Sequence, residues 1–125
     1  MKRLPDAELE VMKALWNTGA NTMRSTLEEQ LVPFGWATNT INTYLTRLEK
    51  KGFVSVERDR RGNRYTPQIS WEDYQNFDSR AVLKQLYGSP RNFVAALARN
   101  GIKREELDQL RSLLDELDEA TDQKK

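Results

Sequence analysis

Residues 38–54 read TNTINTYLTRLEKKGFV and concentrate short side chains that both donate and accept hydrogen bonds. Asn39, Thr40, Asn42 and Thr43 crowd the first part of the stretch, and Thr46, Arg47 and Lys50 follow. An asparagine amide pairs with N6 and N7 of adenine, and threonine hydrogen-bonds base edges or touches a thymine methyl. Arginine and lysine farther along suit phosphate oxygens. Asn and Thr are indifferent helix formers, because their side chains compete for backbone hydrogen bonds. A helix surface with no task beyond solvation favours Glu, Lys, Gln and Ala. Yet Ile41, Tyr44, Leu45 and Leu48 recur at i, i+3, i+4 and i+7, which predicts a helix. Asn42 is expected on the face opposite Ile41, Leu45 and Leu48. The polar face therefore reads as a surface for DNA bases at Asn39, Thr40, Asn42 and Thr43, with Thr46, Arg47 and Lys50 on the DNA backbone. Tyr44 suits either the core or a phosphate.

The elements around this helix support the same chemistry. Pro5 and Asp6 open a first helix running to Trp16, with an apolar stripe at Leu9, Met12 and Trp16 joined by Val11 and Leu15. Thr22 is expected to cap a short second helix, MRSTLEEQL, that buries Met23, Leu27 and Leu31. Pro33 and Gly35 in VPFGW end it. The third helix runs from Thr38 or Asn39 to Lys51, and Gly52 stops it. Phe53–Arg58 then reads as a strand, Asp59–Asn63 as a turn around Gly62, and Arg64–Pro67 as the returning strand. Arg58, Arg60, Arg61 and Arg64 on this hairpin are expected on the DNA backbone or in a minor groove. Three helices and a basic hairpin in this order are expected of a winged helix-turn-helix. Trp16 and Trp36 are expected in the core.

Residues 71–125 are expected to be helical. Ser70 caps a fourth helix ending at Gly88, Ser89-Pro90 starts a fifth that stops at Asn100-Gly101, and a sixth spans Lys103 to Ala120. The tail TDQKK is expected to be disordered. These helices hold more apolar positions than so short a segment can wrap. Leu83, Leu86, Leu107, Leu110, Leu114 and Leu117 are accordingly expected to bury against a second copy of the chain. The fold expected is mainly α with a small β-hairpin wing, in two domains: a winged helix-turn-helix over 1–70 and a helical dimerisation domain over 71–125.

Composition narrows the function. The chain of 125 residues has no histidine and no cysteine. It lacks the usual nucleophile–base pairs, thiolate metal sites and disulfides, so neither an enzyme nor a cofactor or metal site is expected. The absence of cysteine, of a signal-peptide pattern and of any long apolar run fits a cytoplasmic protein off the membrane. Residues 39–64 carry seven Lys/Arg against three Asp/Glu, a net of +4, in a chain whose overall charge is +1. Positive charge thus gathers where the polar helix and hairpin lie, as a DNA-binding face requires. The competing function is a winged-helix module that binds protein. Such modules often lack a basic recognition helix with short polar side chains.

The chain also resembles the BlaI/MecI-type penicillinase repressor family, whose relatives include copper-responsive repressors. The resemblance runs from Leu4 to Leu117 and is carried by DAELEVMKALW at 6–16, TINTYLTRLEKKGFV at 40–54 and LKQLYG at 83–88. It implies a winged helix-turn-helix followed by a helical dimerisation domain, and a homodimeric transcriptional repressor on a palindromic operator with TACA/TGTA-like half-sites. Thr40 and Thr43 match the family's recognition-helix threonines, and Arg47 its phosphate-side arginine. Asn39 and Asn42 stand where close β-lactamase repressors often carry Lys and Arg, which favours adenine readout over guanine. The resemblance also implies an inactivating protease, acting in those repressors at an Asn-Phe bond whose place is taken here by Ala96-Leu97. The paired C-terminal cysteines of the copper-responsive relatives are absent.

Overall fold

A computed structural model describes residues 1–123. The first helix, α1 (Asp6–Thr18), follows Pro5 and carries Asp6 and Glu8 in its first turn, where carboxylates meet the positive end of the helix dipole. Glu8, Val11, Met12 and Leu15 are buried on one face. The chain then forms β1 (Thr22–Met23), α2 (Arg24–Leu31), a 3₁₀ turn (Val32–Phe34) and α3 (Thr38–Lys50). The wing follows as β2 (Val54–Asp59) and β3 (Gly62–Pro67). The wing pairs as expected, but β1 adds a third antiparallel strand, in the order β1-β3-β2.

Thr22 does not cap α2. It pairs with Tyr65 in the sheet, and its hydroxyl donates to the Gly19 carbonyl at 2.9 Å. The sheet supplies its backbone partners, so the residue extends instead of opening a helix. Met23 is correspondingly only half-buried, with its Sδ accepting from Arg64 Nε at 3.3 Å. The hairpin turn is tighter than the sequence suggests: Asp59 pairs with Gly62, leaving Arg60 and Arg61 as its two-residue tip. Gly62 adopts φ +120°, a conformation that favours glycine.

The core of this unit joins Val11, Met12 and Leu15 of α1, Leu27 and Leu31 of α2, and Ile41, Leu45 and Leu48 of α3 with Phe53, Val54 and Tyr65. Trp16 and Trp36 pack against it, half-buried. Trp16 Nε1 donates to the Ile69 carbonyl at 2.8 Å. Trp36 stacks on Phe34 and meets the edge of Tyr44, so Tyr44 packs as a half-buried core neighbour.

The winged-helix unit extends beyond residue 70, to Ala81, because α4 (Trp71–Val82) contributes to its core. Tyr74 is buried there, its hydroxyl accepting from the Leu4 amide at 2.8 Å. Burial pushes the Tyr74 phenol pKa up, with the Leu4 hydrogen bond opposing. Ser70 caps α4 as expected, accepting from the Asp73 amide at 3.0 Å.

The second unit begins at Val82. The helix expected to reach Gly88 changes pitch at a π turn (Leu83–Tyr87), because the Gly88 amide donates five residues back to Leu83. Next come α5 (Pro90–Arg99), capped by Ser89, and α6 (Arg104–Gln123). The sixth helix continues past Ala120, with Thr121 donating to the Leu117 carbonyl. Thr121–Gln123 are therefore helical, whereas Lys124 and Lys125, the rest of the expected disordered tail, lie outside the described residues. No described helix is long and apolar enough to cross a membrane.

One buried charge anchors the frame. Glu8 is 2% exposed, and its carboxylate accepts from Lys51 Nζ, just past the end of α3. Removing one partner of such a pair leaves an uncompensated charge, whereas replacing both with apolar residues is close to neutral. Lys51→Met is expected to cost about 1–3 kcal/mol, the half-exposed lysine head moderating the loss. Glu8→Leu combined with Lys51→Met is expected to recover most of it. Urea denaturation midpoints at an unchanged slope check both.

Candidate nucleic-acid interface

The interface is built on α3. Its start is extended at Ala37 and has no side-chain cap. The entry is held instead from outside by Arg24, whose Nη2 donates to the Thr38 carbonyl and Nη1 to the Tyr65 hydroxyl, both at 3.4 Å. Arg24 Nε meets Glu28 at 3.0 Å. One guanidinium thus links α2, β3 and the first turn of α3. Nothing in the sequence singles this residue out. Its signal there is only an Arg–Glu pair at i, i+4, which most solvated helices also carry.

Ile41, Leu45 and Leu48 are buried, and Asn39, Asn42, Thr43, Thr46, Arg47 and Lys50 are exposed. Thr40 is half-buried. Asn42 lies on the flank of α3 toward the wing and not diametrically opposite the buried stripe. It lines a cavity of about 90 Å³ with Thr46, Glu49, Arg58, Asn63 and Tyr65. The reason is the 100° step of the helix, which puts positions 42, 46 and 49 one above another beside the apolar edge. Asn39, Thr43 and Lys50 project more directly outward. The Thr43 hydroxyl donates to the Asn39 carbonyl at 3.0 Å. Its proton is committed, leaving its lone pairs and methyl to face outward.

The basic residues divide into two sets. Among the described residues, Arg47, Lys50, Arg60 and Arg61 form no ion pair. Arg58 is engaged: Nη2 donates to Glu49 Oε1 at 2.8 Å and Nη1 to Oε2 at 3.2 Å. The Arg58 hydrogen bonds hold the Glu49 carboxyl below the usual carboxylate range, and Glu49 raises Arg58 in turn. Arg64 is half-buried, 4.0 Å from Asp59 Oδ2. At the tip, the Arg61 amide donates to Asp59 Oδ1 at 2.8 Å, a side-chain turn that fixes the loop and leaves both arginine side chains outward.

In the second unit, Leu83, Leu107 and Leu110 are half-buried. Leu86, Leu114 and Leu117 are exposed at 66%, 60% and 54%, with Leu113, Val94 and Leu97 also exposed.

A sequence model of the family described as "Penicillinase repressor" matches residues 4–116. The penicillinase repressor of Bacillus licheniformis is 33% identical over 121 residues, covering 93% of this chain and 94% of that protein. The methicillin resistance regulatory protein MecI of Staphylococcus aureus (strain N315) is 26% identical over 113 residues, covering 89% and 92%. The similarity runs through the winged helix and on through the helices beyond it, and on that extent the chain belongs to the penicillinase repressor family.

Proposed function

We propose that the protein is a sequence-specific DNA-binding transcriptional repressor that acts as a homodimer on a palindromic operator. The observation that carries this reading is the outer face of α3: short amides and hydroxyls with unpaired Arg47 and Lys50, beside a wing tip of two unpaired arginines. Three buried residues hold that face outward on a rigid helix. In a winged helix-turn-helix this helix enters the major groove. Asn39, Thr40, Asn42 and Thr43 then read base edges, Thr43 by its methyl or as an acceptor. Thr46, Arg47, Lys50, Arg60, Arg61 and Arg64 meet the DNA backbone. Family membership supports the same function: the matched relatives are named for repression of penicillinase and for regulation of methicillin resistance.

The dimer rests on the exposed leucines of the second unit. Exposed Leu86, Leu114 and Leu117, with Val94, Leu97 and Leu113, leave more apolar surface than a monomer usually leaves in water. A two-fold dimer covers it and repeats the recognition helix on two half-sites, which makes the operator palindromic.

Selection of binding sites from random duplex DNA tests the reading. The wild type is expected to yield a palindromic motif and an affinity that falls steeply with salt. Affinity indifferent to salt would instead favour a protein-binding module. Asn42→Ala is expected to cost about 1–3 kcal/mol on the cognate site and to relax preference at one base pair per half-site, with folding unchanged. An unchanged selected motif would remove Asn42 from the base-reading set.

Replacing both Arg60 and Arg61 with Ala is expected to weaken binding to all sequences alike. The salt slope should fall by about 1–2 units, roughly one per phosphate bound. A changed motif at constant slope would mean that the wing reads bases.

Leu114→Asp tests the dimer more cleanly than a change at half-buried Leu110, because Leu114 packs little within its own unit. Sedimentation is expected to show a dimer for the wild type and a folded monomer for the variant, the introduced charge costing several kcal/mol in an apolar interface. A wild-type monomer at micromolar concentration would rule out the dimer.

A further inference from the structure

We infer that Glu49 is a positioning residue for DNA discrimination: its two-point pair with Arg58 fixes the wing against α3 and withholds Arg58 from the phosphates. This rests on the DNA-binding reading above. Glu49 is the sole acidic residue in α3, on a helix proposed to face a polyanion. A bare carboxylate there would repel phosphate. The structure neutralises it, with two nitrogens of one guanidinium meeting both oxygens of one carboxylate at 2.8 and 3.2 Å. This paired planar geometry is the strong, directional form of the Arg–carboxylate interaction. Hydrogen bonding by Arg58 also keeps Glu49 ionised to lower pH than an ordinary glutamate.

The placement gives the pair mechanical meaning. Arg58 is cross-strand from Asn63, one residue pair from the hairpin tip. Val54 and Tyr65 bury the base of the wing, whereas Glu57–Arg61 are exposed. Among the described residues, the Glu49–Arg58 bonds are the only hydrogen bonds from α3 to the paired wing strands. At the tip end they therefore complete the fixing of the wing's angle to α3, which the Arg24 link and the buried wing base begin. Pre-setting that angle lowers the ordering cost of engaging groove and backbone together. It also keeps one sequence-blind cation away from any duplex, since binding to phosphates strengthens affinity for all sequences. Both effects raise the ratio of operator to non-operator affinity.

The test compares wild type, Glu49→Gln and Glu49→Gln/Arg58→Gln on the selected operator and on a scrambled duplex across a salt series. Glu49→Gln is expected to steepen the salt slope by about one unit, as Arg58 is released to a phosphate. It should tighten scrambled-duplex binding and lower the operator-to-scrambled ratio by roughly tenfold, because the released arginine binds phosphate whatever the base sequence. The double variant is expected to regain the wild-type slope but not the wild-type ratio, because the charge is gone and the wing is still unclamped. In parallel, NMR should show the Glu49 carboxyl titrating at lower pH in the wild type than in Arg58→Gln. The link is present at neutral pH and is lost as pH falls through that lowered pKa. A Glu49→Gln variant with unchanged slope and ratio overturns the inference while leaving DNA binding standing. So does a double variant with the full wild-type ratio, or equal Glu49 titration in the two proteins. A wild type that binds no duplex at any salt overturns the DNA-binding reading and this inference with it.

Discussion

The arrangement of the candidate interface depends on the burial of Ile41, Leu45 and Leu48 in the core beside α1 and β2. Fully burying an aliphatic side chain of this size is worth about 1.5–3 kcal/mol. A rotation of α3 by one residue position would expose all three and bury amides and hydroxyls without partners, which costs further. The helix is therefore held in one rotational setting, with Asn39, Thr43 and Lys50 outward and Asn42 and Thr46 toward the wing. The base reading proposed for this face needs such a setting, because each bidentate interaction tolerates little displacement. The polar face is rigid because the apolar face has no alternative.

Charge pairing then decides which cations are available. Lys50 and Lys51 are neighbours in sequence, yet Lys51 neutralises buried Glu8 while Lys50 points to solvent. Arg58 lies close to Arg60 and Arg61, yet it is held by Glu49 while they stand free at the tip. Arg24 is committed to the entry of α3. The positive charge that composition places over residues 39–64 is thus sorted into structural and presented sets. Only the presented set adds to attraction for a polyanion at long range.

The second unit follows a different logic. Its helices follow local signals, with Ser89 capping the start of α5 and a π turn ending the segment before it. Its apolar residues nevertheless outnumber those it can cover. Among the described residues of this unit, none reaches the near-complete burial of Met12, Leu15 or Leu48 in the winged helix. Helix formation there does not bring a buried core with it, which is what the association proposed above would supply.

Periodicity and turn chemistry determined much of this protein in advance. The 3.6-residue stripes, the prolines and the glycines define six helices and a hairpin, because those signals are local. The helix over Thr38–Lys50 was also legible from its apolar stripe, although its Asn and Thr go against helix propensity. Three features required the tertiary structure. Thr22 looks like a cap, but a partner strand some forty residues away in sequence claims it, and strand pairing leaves no local mark. A boundary at residue 70 follows from the order of elements, with the wing ending just before it, yet the compact unit runs to Ala81, and Tyr74 joins the core of the preceding residues. Above all, the division of arginines into clamps and free cations was invisible, since Arg58 and Arg61 are the same residue type in the same basic run. Which of them faces a carboxylate depends on where α3 places Glu49, and only the packed fold brings those side chains together.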